Sequence, residues 1–376
     1  MAVIAVNTRL LLKDKLEGIG IYSQEILKRV VQLNPQHNFV FLFDRNYSSD
    51  FIFSENVKGM ALWPPARHPM LWYLWLEWSI PVILKKINAG LFFSPDGFLS
   101  LKSEVPQVNV IHDLNFENFP EFVPKNAYRF YHKNFPLYAN KAKHVFTVSD
   151  FSKSEIERLY NIDSDKITVT YNSASHYFKP LDVETKVRAR KNFTNGAPYF
   201  IYAGSLHQRK NISNMLLAFD EFKKQFESPV KLLLAGNKLF ADAQMDAVYD
   251  NMQFKDSVIF AGRLSDAEMA EAMGASIALL YVSFFEGFGI PIIEAMNCGV
   301  PVITSNTSSM PEVAGDAALL VNPHNTSEIT TAMHKLATQK ELRDLLIEKG
   351  NQRKNFFLWD DSAKKISDVL NKLLSE

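Results

Sequence analysis

Two glutamates that flank a glycine-containing turn offer the clearest candidate chemistry in the sequence. Glu286 lies just before the turn, and Glu294 lies about one helical turn beyond it. An apolar run at residues 277–282 precedes the turn, and a helical pattern at residues 291–298 that begins with Pro291 follows it. This order predicts a strand, a tight loop and a helix. The free N–H groups at the start of such a helix form a site for an anion.

The turn itself contains two glycines, which permit close backbone approach and positive φ angles. Its residues are Gly287, Phe288, Gly289 and Ile290. A carboxylate next to bound phosphates would repel them, so we interpret the two glutamates as acceptors for sugar hydroxyls beside the phosphates. The alternative is a surface loop with two solvated glutamates, because a lone G-x-G pattern has low specificity.

A second candidate anion site follows a predicted strand at residues 199–203. Gly204 ends that strand, and Arg209 and Lys210 come just before a helix predicted to run to about Phe226. Two cations at a helix N-terminus oppose the helix dipole unless an anion is bound there, and a diphosphate would supply that anion. A solvated basic turn is the alternative.

His112 and Asp113 stand at the carboxyl end of another predicted strand, residues 108–111. Ligands bind at this end of the strands in open α/β sheets. A histidine in that position can hold a substrate hydroxyl or take part in proton transfer, although a lone histidine is more often structural.

Gly18 and Gly20 lie between an apolar run at residues 2–7 and a helical pattern that includes Ile21. A strand, a glycine loop and a helix suggest dinucleotide binding, as in an NAD enzyme. Ser23 replaces the third glycine, however, and about ten residues separate the strand from the loop, so this interpretation is disfavoured. A helix-start loop with two permissive glycines is the structural alternative.

Length and composition limit the class of protein. A chain of 376 residues is too long for one ordinary core and predicts two domains. Lys+Arg and Asp+Glu balance at 41 each, so no basic field favours nucleic acid. The single cysteine, Cys298, excludes an intramolecular disulfide and a cysteine-based zinc site, and it fits a reducing cytoplasm. We expect neither a signal peptide nor a membrane span.

Four of the five tryptophans fall between residues 63 and 78. Helical periodicity places Leu71, Trp75, Trp78 and Val82 on one face, which predicts mainly core or interdomain packing. An interfacial helix resting on lipid headgroups, with Lys85 and Lys86 beside it, is the alternative.

The segment F-F-E-G-F-G-I-P-I-I-E-A-M at residues 284–296, followed by C-G-V-P-V-I and M-P-E-V-A-G-D-A-A, closely resembles the signature of the retaining glycosyltransferase family four. The resemblance is strongest over residues 199–323 and fades between about 48 and 90. It implies an α/β protein of GT-B architecture, with two Rossmann-like βαβ domains facing across a cleft. Residues 1–178, with 356–376 crossing back onto them, would form the acceptor domain, and 179–355 the donor domain.

The same resemblance implies roles for the candidate residues. Arg209 and Lys210 would neutralise the donor diphosphate, Glu294 would hold the ribose, and Glu286 would hold the transferred sugar. His112 would contact that sugar near its 6-hydroxyl or stabilise the transition state. The remaining predicted donor-binding residues are Gly18, Gly20, Gly204, Arg263, Gly287, Phe288, Gly289 and Ile290. Arg263 is equally interpreted as an exposed residue at a helix start.

We expect no metal and no permanently bound cofactor, and we interpret the D-x-D at residues 163–165 as a solvated turn. The predicted activity is transfer of a hexose from a nucleotide-sugar donor to a saccharide or glycolipid acceptor at the cytoplasmic face of the membrane, without nucleic-acid partners. GDP-mannose is the first donor hypothesis, since the H-D-L and E-G-F-G-I-P segments resemble those of bacterial mannosyltransferases. A UDP-hexose donor, an epimerase on the same fold and a non-catalytic nucleotide-sugar binding subunit remain alternatives.

Overall fold

The computed structural model describes residues 1–13, 15–237 and 243–376. The chain divides into two units, Met1–Asn172 with Leu358–Glu376 and Ser173–Phe357. The domain limits expected from the sequence, 178/179 and 355/356, differ from these by a few residues.

Each unit is built on one parallel β-sheet. The strands are β1 (Val3–Asn7), β2 (Asn38–Phe43), β3 (Val57–Ala61), β4 (Leu91–Ser94), β5 (Gln107–Ile111), β6 (His144–Thr147), β7 (Ile167–Val169), β8 (Tyr199–Ala203), β9 (Lys231–Ala235), β10 (Val258–Gly262), β11 (Ala278–Tyr281), β12 (Val302–Ser305) and β13 (Ala318–Val321). The first sheet has the order β3-β2-β1-β4-β5-β6-β7 and the second β10-β9-β8-β11-β12-β13. Both orders reverse after the first strand of their unit, which is the Rossmann pattern.

The strands are short apolar runs because both faces of each sheet are covered. β8 and β11, for example, are buried at every position. In the first sheet Ile4 of β1 pairs with Leu91 of β4, and in the second Phe200 of β8 pairs with Ala278 of β11.

Helices connect the strands. They are α1 (Gly18–Leu33), α2 (Pro69–Leu74), α3 (Ile80–Lys86), α4 (Asn115–Asn118), α5 (Lys125–Lys141), α6 (Asp150–Tyr160), α7 (Val183–Thr194), α8 (Ile212–Gln225), α9 (Ala243–Asn251), α10 (Asp266–Gly274), α11 (Ile290–Asn297), α12 (Met310–Ala314), α13 (Thr326–Thr338), α14 (Lys340–Arg353) and α15 (Trp359–Ser375). The right-handed crossover of a parallel sheet requires such connections.

The C-terminal helix α15 belongs to the first unit and packs on α1, which confirms the predicted return of the chain. Its buried residues include Trp359, Ile366 and Leu370, an apolar stripe of helical period. Ser367 adds a polar contact, because its Oγ accepts a hydrogen bond from Asn34 Nδ2 at 2.8 Å.

The tryptophan-rich segment differs from the predicted single face. A π-helical turn, Trp75–Ser79, joins α2 to α3 and has a wider period than an α-helix. Trp75 is therefore buried, whereas Trp78 is 60% exposed and Val82 is 68% exposed. The prediction that these residues share one packing face is wrong.

No helix in the described ranges combines the length and apolar character needed to cross a membrane.

Candidate active site

The order of the second sheet reverses between β8 and β11, so the loops after these strands meet at its carboxyl edge. The loop after β8 carries Arg209 and Lys210 in a short 3-10 helix, Gln208–Lys210. The loop after β11 carries Glu286. The topology thus brings together side chains that are 76 residues apart in the chain.

Glu286 is buried and pairs with both cations. Its Oε2 lies 3.0 Å from Arg209 Nη1, and its Oε1 lies 2.6 Å from Lys210 Nζ. Arg209 Nη1 also donates to the Phe285 carbonyl at 2.5 Å, and Lys210 Nζ donates to the Tyr281 hydroxyl at 3.1 Å. The predicted phosphate-binding cations and the predicted sugar-binding carboxylate are therefore in direct contact.

The charge state of Glu286 follows from these contacts. Burial alone would raise the pKa of its carboxyl. The charges of Arg209 and Lys210 and the hydrogen bond from Lys210 together have the larger effect and lower the pKa to about 2. Glu286 is ionised at neutral pH. Burial and then the Glu286 charge raise the pKa values of Tyr202 and Tyr281 well above the ordinary value, so both phenols stay neutral.

Asn211 links the cationic turn to the neighbouring strand ends. It takes a left-handed conformation, with φ of 60°, between the 3-10 helix and α8. Its Nδ2 donates to the carbonyls of Val282 and Pro323 at 2.9 and 2.8 Å. Asn211 was not among the predicted site residues, although asparagine is the ordinary residue for this conformation.

Two serines hold the loop that carries Glu286. Ser308 Oγ accepts from the Glu286 N–H at 3.1 Å, and Ser309 Oγ lies 2.9 and 3.0 Å from the carbonyl oxygens of Glu286 and Phe288. In the structure these two support the loop backbone.

Two glycines bring adjacent strand ends close together. Gly204, after β8, has φ of +140°, and Gly236, after β9, has φ of +153°. A Cβ added to Gly236 would lie only 1.8 Å from the Gly204 carbonyl oxygen. Gly236 was not predicted as a site residue, although a glycine directly after a strand is a signal for such an approach.

The helix predicted at residues 291–298 is α11, Ile290–Asn297. It begins after Gly289, whose φ of +100° favours glycine. No side-chain hydrogen bond caps this helix end.

Glu294 lies within α11 in an environment opposite to that of Glu286. It is half-buried, and its carboxyl makes no hydrogen bond within the described part of the chain. Burial and then the charge of Asp266 raise its pKa to about 8. Glu294 is therefore mostly protonated at neutral pH.

His112 lies in the first unit, at the carboxyl end of β5. Its Nε2 bonds the Pro95 carbonyl at 2.8 Å, so Nε2 carries the proton, and the Tyr22 ring packs edge-on at a centroid distance of 4.8 Å. Burial lowers the pKa of His112, and Pro95, Asp113 and Asp96 oppose this only in part. The imidazole is neutral at pH 7, and its Nδ1 is an acceptor.

Gly18 and Gly20 lie inside the first turn of α1, not in a loop before it. Neither has a positive φ. A Cβ on Gly20 would lie 2.9 Å from the Leu10 carbonyl oxygen, whereas one on Gly18 would meet nothing within 4 Å. Glycine at position 20 is thus explained by a close backbone approach, and the predicted glycine loop is wrong.

The remaining residues singled out in the sequence are Arg263 and the D-x-D at residues 163–165. Arg263 is exposed and precedes α10, whose start is closed by a capping box of Ser265 and Glu268. Asp163 and Asp165 are exposed beside or within a 3-10 turn. Across residues 1–13, 15–237 and 243–376, no three His, Cys, Asp or Glu side chains group as candidate metal ligands.

Comparison with known proteins bears on what this site does. The family model described as glycosyl transferases group 1 matches residues 183–353, and the model of glycosyltransferase family 4 matches residues 17–175. The O-antigen chain mannosyltransferase RfbU of Salmonella typhimurium is 30% identical over 270 residues, 71% of each chain. This chain belongs to glycosyltransferase family four. It is a glycosyltransferase of the GT-B fold, as the motifs predicted.

Two further similarities extend over nearly the whole chain. The O-antigen chain mannosyltransferase B of Escherichia coli is 28% identical over 365 residues, 93% of this chain and 94% of the relative. The solved structure of Anabaena HepE in complex with UDP and glucose has a TM-score of 0.75 at 15% identity and covers 99% of both chains. The second similarity concerns the fold alone.

Proposed function

We propose that this glycosyltransferase moves mannose from GDP-mannose to a saccharide or lipid-linked saccharide, with retention of the anomeric configuration. The observation that carries the sugar assignment is that the two relatives described above are O-antigen chain mannosyltransferases, at 28% and 30% identity. We place the reaction in the cytoplasm, where nucleotide sugars are made, at the inner face of the membrane.

Two cations at the sheet edge support a diphosphate donor. Arg209 and Lys210 carry two positive charges and share the carboxylate of Glu286. Both cations would stabilise the charge of the leaving diphosphate. The uncapped start of α11 and the backbone of Gly287, Phe288, Gly289 and Ile290 would add N–H donors.

The two glutamates would recognise hydroxyl groups. Glu286, ionised and held by its ion pairs, would accept hydrogen bonds from the transferred sugar. Glu294, which has no hydrogen-bond partner within the described residues, would bond the ribose. Arg263 would lie beside the nucleobase.

The transfer step breaks the bond between the anomeric carbon and the diphosphate oxygen and forms a bond to an acceptor hydroxyl on the same face. The acceptor proton passes to the leaving phosphate, so Glu286 does not act as a nucleophile. This differs from the paired-carboxylate route of retaining glycosidases. His112, through its neutral Nδ1, would accept a hydrogen bond from a hydroxyl of the transferred sugar.

Ligand-dependent thermal unfolding tests the donor. GDP, UDP, ADP, dTDP and NAD are compared at matched concentrations, and GDP should raise the unfolding midpoint by several degrees, since a ligand at 100 times its Kd adds about 2.7 kcal/mol. A rise with UDP alone would replace GDP-mannose by a UDP-hexose. A rise with NAD alone would contradict the family-based donor site.

Product analysis then tests the activity. GDP-mannose is incubated with and without a mannose-containing oligosaccharide acceptor, and the linkage is determined by NMR. An α-linked product that requires the acceptor is expected. An altered sugar nucleotide formed without acceptor would indicate an epimerase, and no turnover in spite of GDP binding would indicate a binding subunit.

An exposed apolar patch on the first unit supports a peripheral membrane contact. Trp63, Trp78 and Val82 are 79%, 60% and 68% exposed, and Ser79 Oγ donates to the Trp63 carbonyl, which brings the two tryptophans together. Lys102 Nζ lies 4.6 Å from the Trp78 ring centroid. Exposed tryptophans beside cations suit an anionic lipid surface, and we propose that this patch binds one.

Vesicle co-sedimentation tests this contact. The wild-type protein should bind vesicles containing phosphatidylglycerol more than vesicles of phosphatidylcholine alone, and the double variant Trp63→Ser, Trp78→Ser should lose most of that binding. Phe356→Ser, at a residue of the second unit that is 66% exposed, is the matched control. Equal binding by both variants would overturn the assignment of the patch.

A further inference from the structure

The carboxyl edge of the first sheet contains a buried ion pair that lies outside the motifs described above. The order of this sheet reverses between β1 and β4, and Arg9 and Asp96 follow those two strands. Arg9 Nε lies 2.5 Å from Asp96 Oδ2, and the two side chains are only 9% and 2% exposed. The Arg9 guanidinium also lies over the Phe98 ring, 4.0 Å from its centroid.

Asp96 accepts hydrogen bonds from several groups. Its Oδ1 accepts from Asn7 Nδ2 at 2.7 Å and from Ser94 Oγ at 2.9 Å, and the Phe98 N–H lies 3.3 Å from the same atom. With Arg9, every one of these partners is a donor. The carboxylate therefore joins the ends of β1 and β4 and closes the turn at residues 94–98 around itself.

That turn presents the group that holds His112. The Pro95 carbonyl accepts the Nε2 proton of His112 at 2.8 Å, and Pro95 directly precedes Asp96. A histidine whose Nε2–H is bound in this way keeps Nδ1 as its acceptor, because the hydrogen bond at one ring nitrogen sets the tautomer. The edge-on Tyr22 ring at 4.8 Å restricts the plane of the imidazole.

We propose that Asp96, clamped by Arg9, is a positioning residue that sets the tautomer and orientation of His112 through the Pro95 carbonyl. This inference rests on the proposed contact of His112 with the transferred sugar. Asp96 itself touches no substrate. A correctly placed Nδ1 acceptor is its contribution to the reaction.

The alternative is that the pair only stabilises the fold, since burying an ion pair with satisfied hydrogen bonds is common in protein interiors. The two alternatives differ in what a substitution changes. A structural role affects the unfolding temperature. A positioning role affects kcat and the state of the imidazole ring while leaving donor affinity unchanged.

The first test observes the wild-type protein. Nitrogen NMR of the ¹⁵N-histidine-labelled protein, with His112→Gln used only to assign the signal, reports which ring nitrogen carries the proton. At pH 7 the wild-type ring should be neutral with the proton on Nε2. A proton on Nδ1, or a doubly protonated ring, would overturn the proposal.

The second test uses Asp96→Asn. An asparagine must turn its NH₂ group either toward the Arg9 guanidinium or toward the Asn7 NH₂ group, both of which are donors, so the turn should shift. We expect kcat to fall by about tenfold or more with donor KM within about twofold, together with a mixed tautomer of His112. Unchanged kcat and an unchanged tautomer in a folded variant would overturn the proposal.

Asp44→Asn is the matched control. Asp44 is also buried at the carboxyl end of a strand of this sheet, β2, and it pairs with Arg45 and accepts from the Ala66 N–H. This variant should lose stability without changing kcat or the His112 signal. Equal effects of Asp44→Asn and Asp96→Asn on kcat would favour a purely structural role.

A double-variant cycle separates this inference from the proposed function. Asp96→Asn should cause little further loss of kcat in a His112→Ala background, because both act through one group. Additive losses would overturn the positioning role. Full activity of His112→Ala alone would instead refute the proposed role of His112.

Discussion

The two sheets have the same strand order as far as the point where that order reverses. In each unit a cation follows the first strand and an acidic residue follows the fourth strand. In the second unit two cations, Arg209 and Lys210, share Glu286. In the first unit Arg9 alone pairs with Asp96. The former cluster has two cations for one carboxylate, and the latter has one cation for one carboxylate. We propose that the same topology supports an anion site in one unit and an internal positioning pair in the other.

The exposure of the cationic side chains also differs between the two units. The side chains of Arg209 and Lys210 are 17% and 12% exposed, whereas that of Arg9 is 9% exposed and lies against the Phe98 ring. All the hydrogen bonds of the Asp96 carboxylate come from within its own unit. The ratio of cations to carboxylates, more than the presence of a buried ion pair, is the feature on which the proposed diphosphate site rests.

The largest expected effect comes from replacing one of the two cations of the second unit. Lys210→Ala leaves one cation for one carboxylate, so both nucleotide binding and transfer should fall, the rate by about two orders of magnitude, as when one donor to a developing negative charge is lost. Calorimetric titration with GDP and initial-rate kinetics measure the two effects.

Lys224→Ala is the control for that substitution. Lys224 lies on α8 and pairs with Asp220, and its side chain is 44% exposed. Its loss should change neither affinity nor rate by more than about twofold, as for other exposed ion pairs. If Lys210→Ala behaves like Lys224→Ala, the phosphate assignment is wrong.

The next effect concerns the first unit and should differ in kind. His112→Ala should lower kcat by roughly two orders of magnitude while GDP affinity stays nearly unchanged, because Nδ1 would contact the transferred sugar and not the nucleotide. The same titrations and kinetics measure both quantities. A fully active variant would return His112 to a structural role.

His144→Ala serves as its control. His144 is also partly buried in the first unit, where burial lowers its pKa to about 4, and it bonds Thr168. It stands at the start of β6, at the amino edge of the sheet. We expect it to lower the unfolding temperature without changing kcat.

The fold and the residues of the charged cluster in the second unit were largely predictable, whereas the contact of Glu286 with the two cations was not. The length of the chain predicted two domains, the motif resemblance implied two α/β units, and α8 and α11 end within one residue of their predicted limits. The glycine turn and the two cations have recognisable types and spacing. Local order of this kind is what a sequence encodes most directly.

What could not be predicted depends on contacts between distant residues or on small changes of helical period. Asp96 bonds Asn7 and Arg9 across 89 and 87 residues, and no local pattern indicates such a pair. One π turn was enough to separate Trp78 from the face of Trp75. α1 begins at Gly18, in the segment where Gly20 closely approaches the Leu10 carbonyl. This contact forms only when the chain folds.

The smallest expected effect compares the two glutamates of the motif. The pKa of Glu294 is raised from 4.5 to about 8, so between these values the folded state holds a proton that the unfolded state has lost. Stability therefore falls as pH rises through this window. The pKa of Glu286 is lowered from 4.5 to about 2, so its contribution is complete above pH 4.5 and is lost only on further acidification.

Two isosteric variants should separate these behaviours. The unfolding midpoint of Glu294→Gln, measured relative to wild type from pH 6 to 9, should rise up to about pH 8 and then level off, because glutamine removes the cost of ionising that site. The relative midpoint of Glu286→Gln should be low but constant over the same range, since its carboxylate is ionised throughout. His112 titrates in the wild type and in both variants, so its contribution cancels when each variant's midpoint is compared with that of the wild type. A constant difference for Glu294→Gln would mean that its carboxyl is already ionised at pH 6, and the electrostatic contrast between the two glutamates would then disappear.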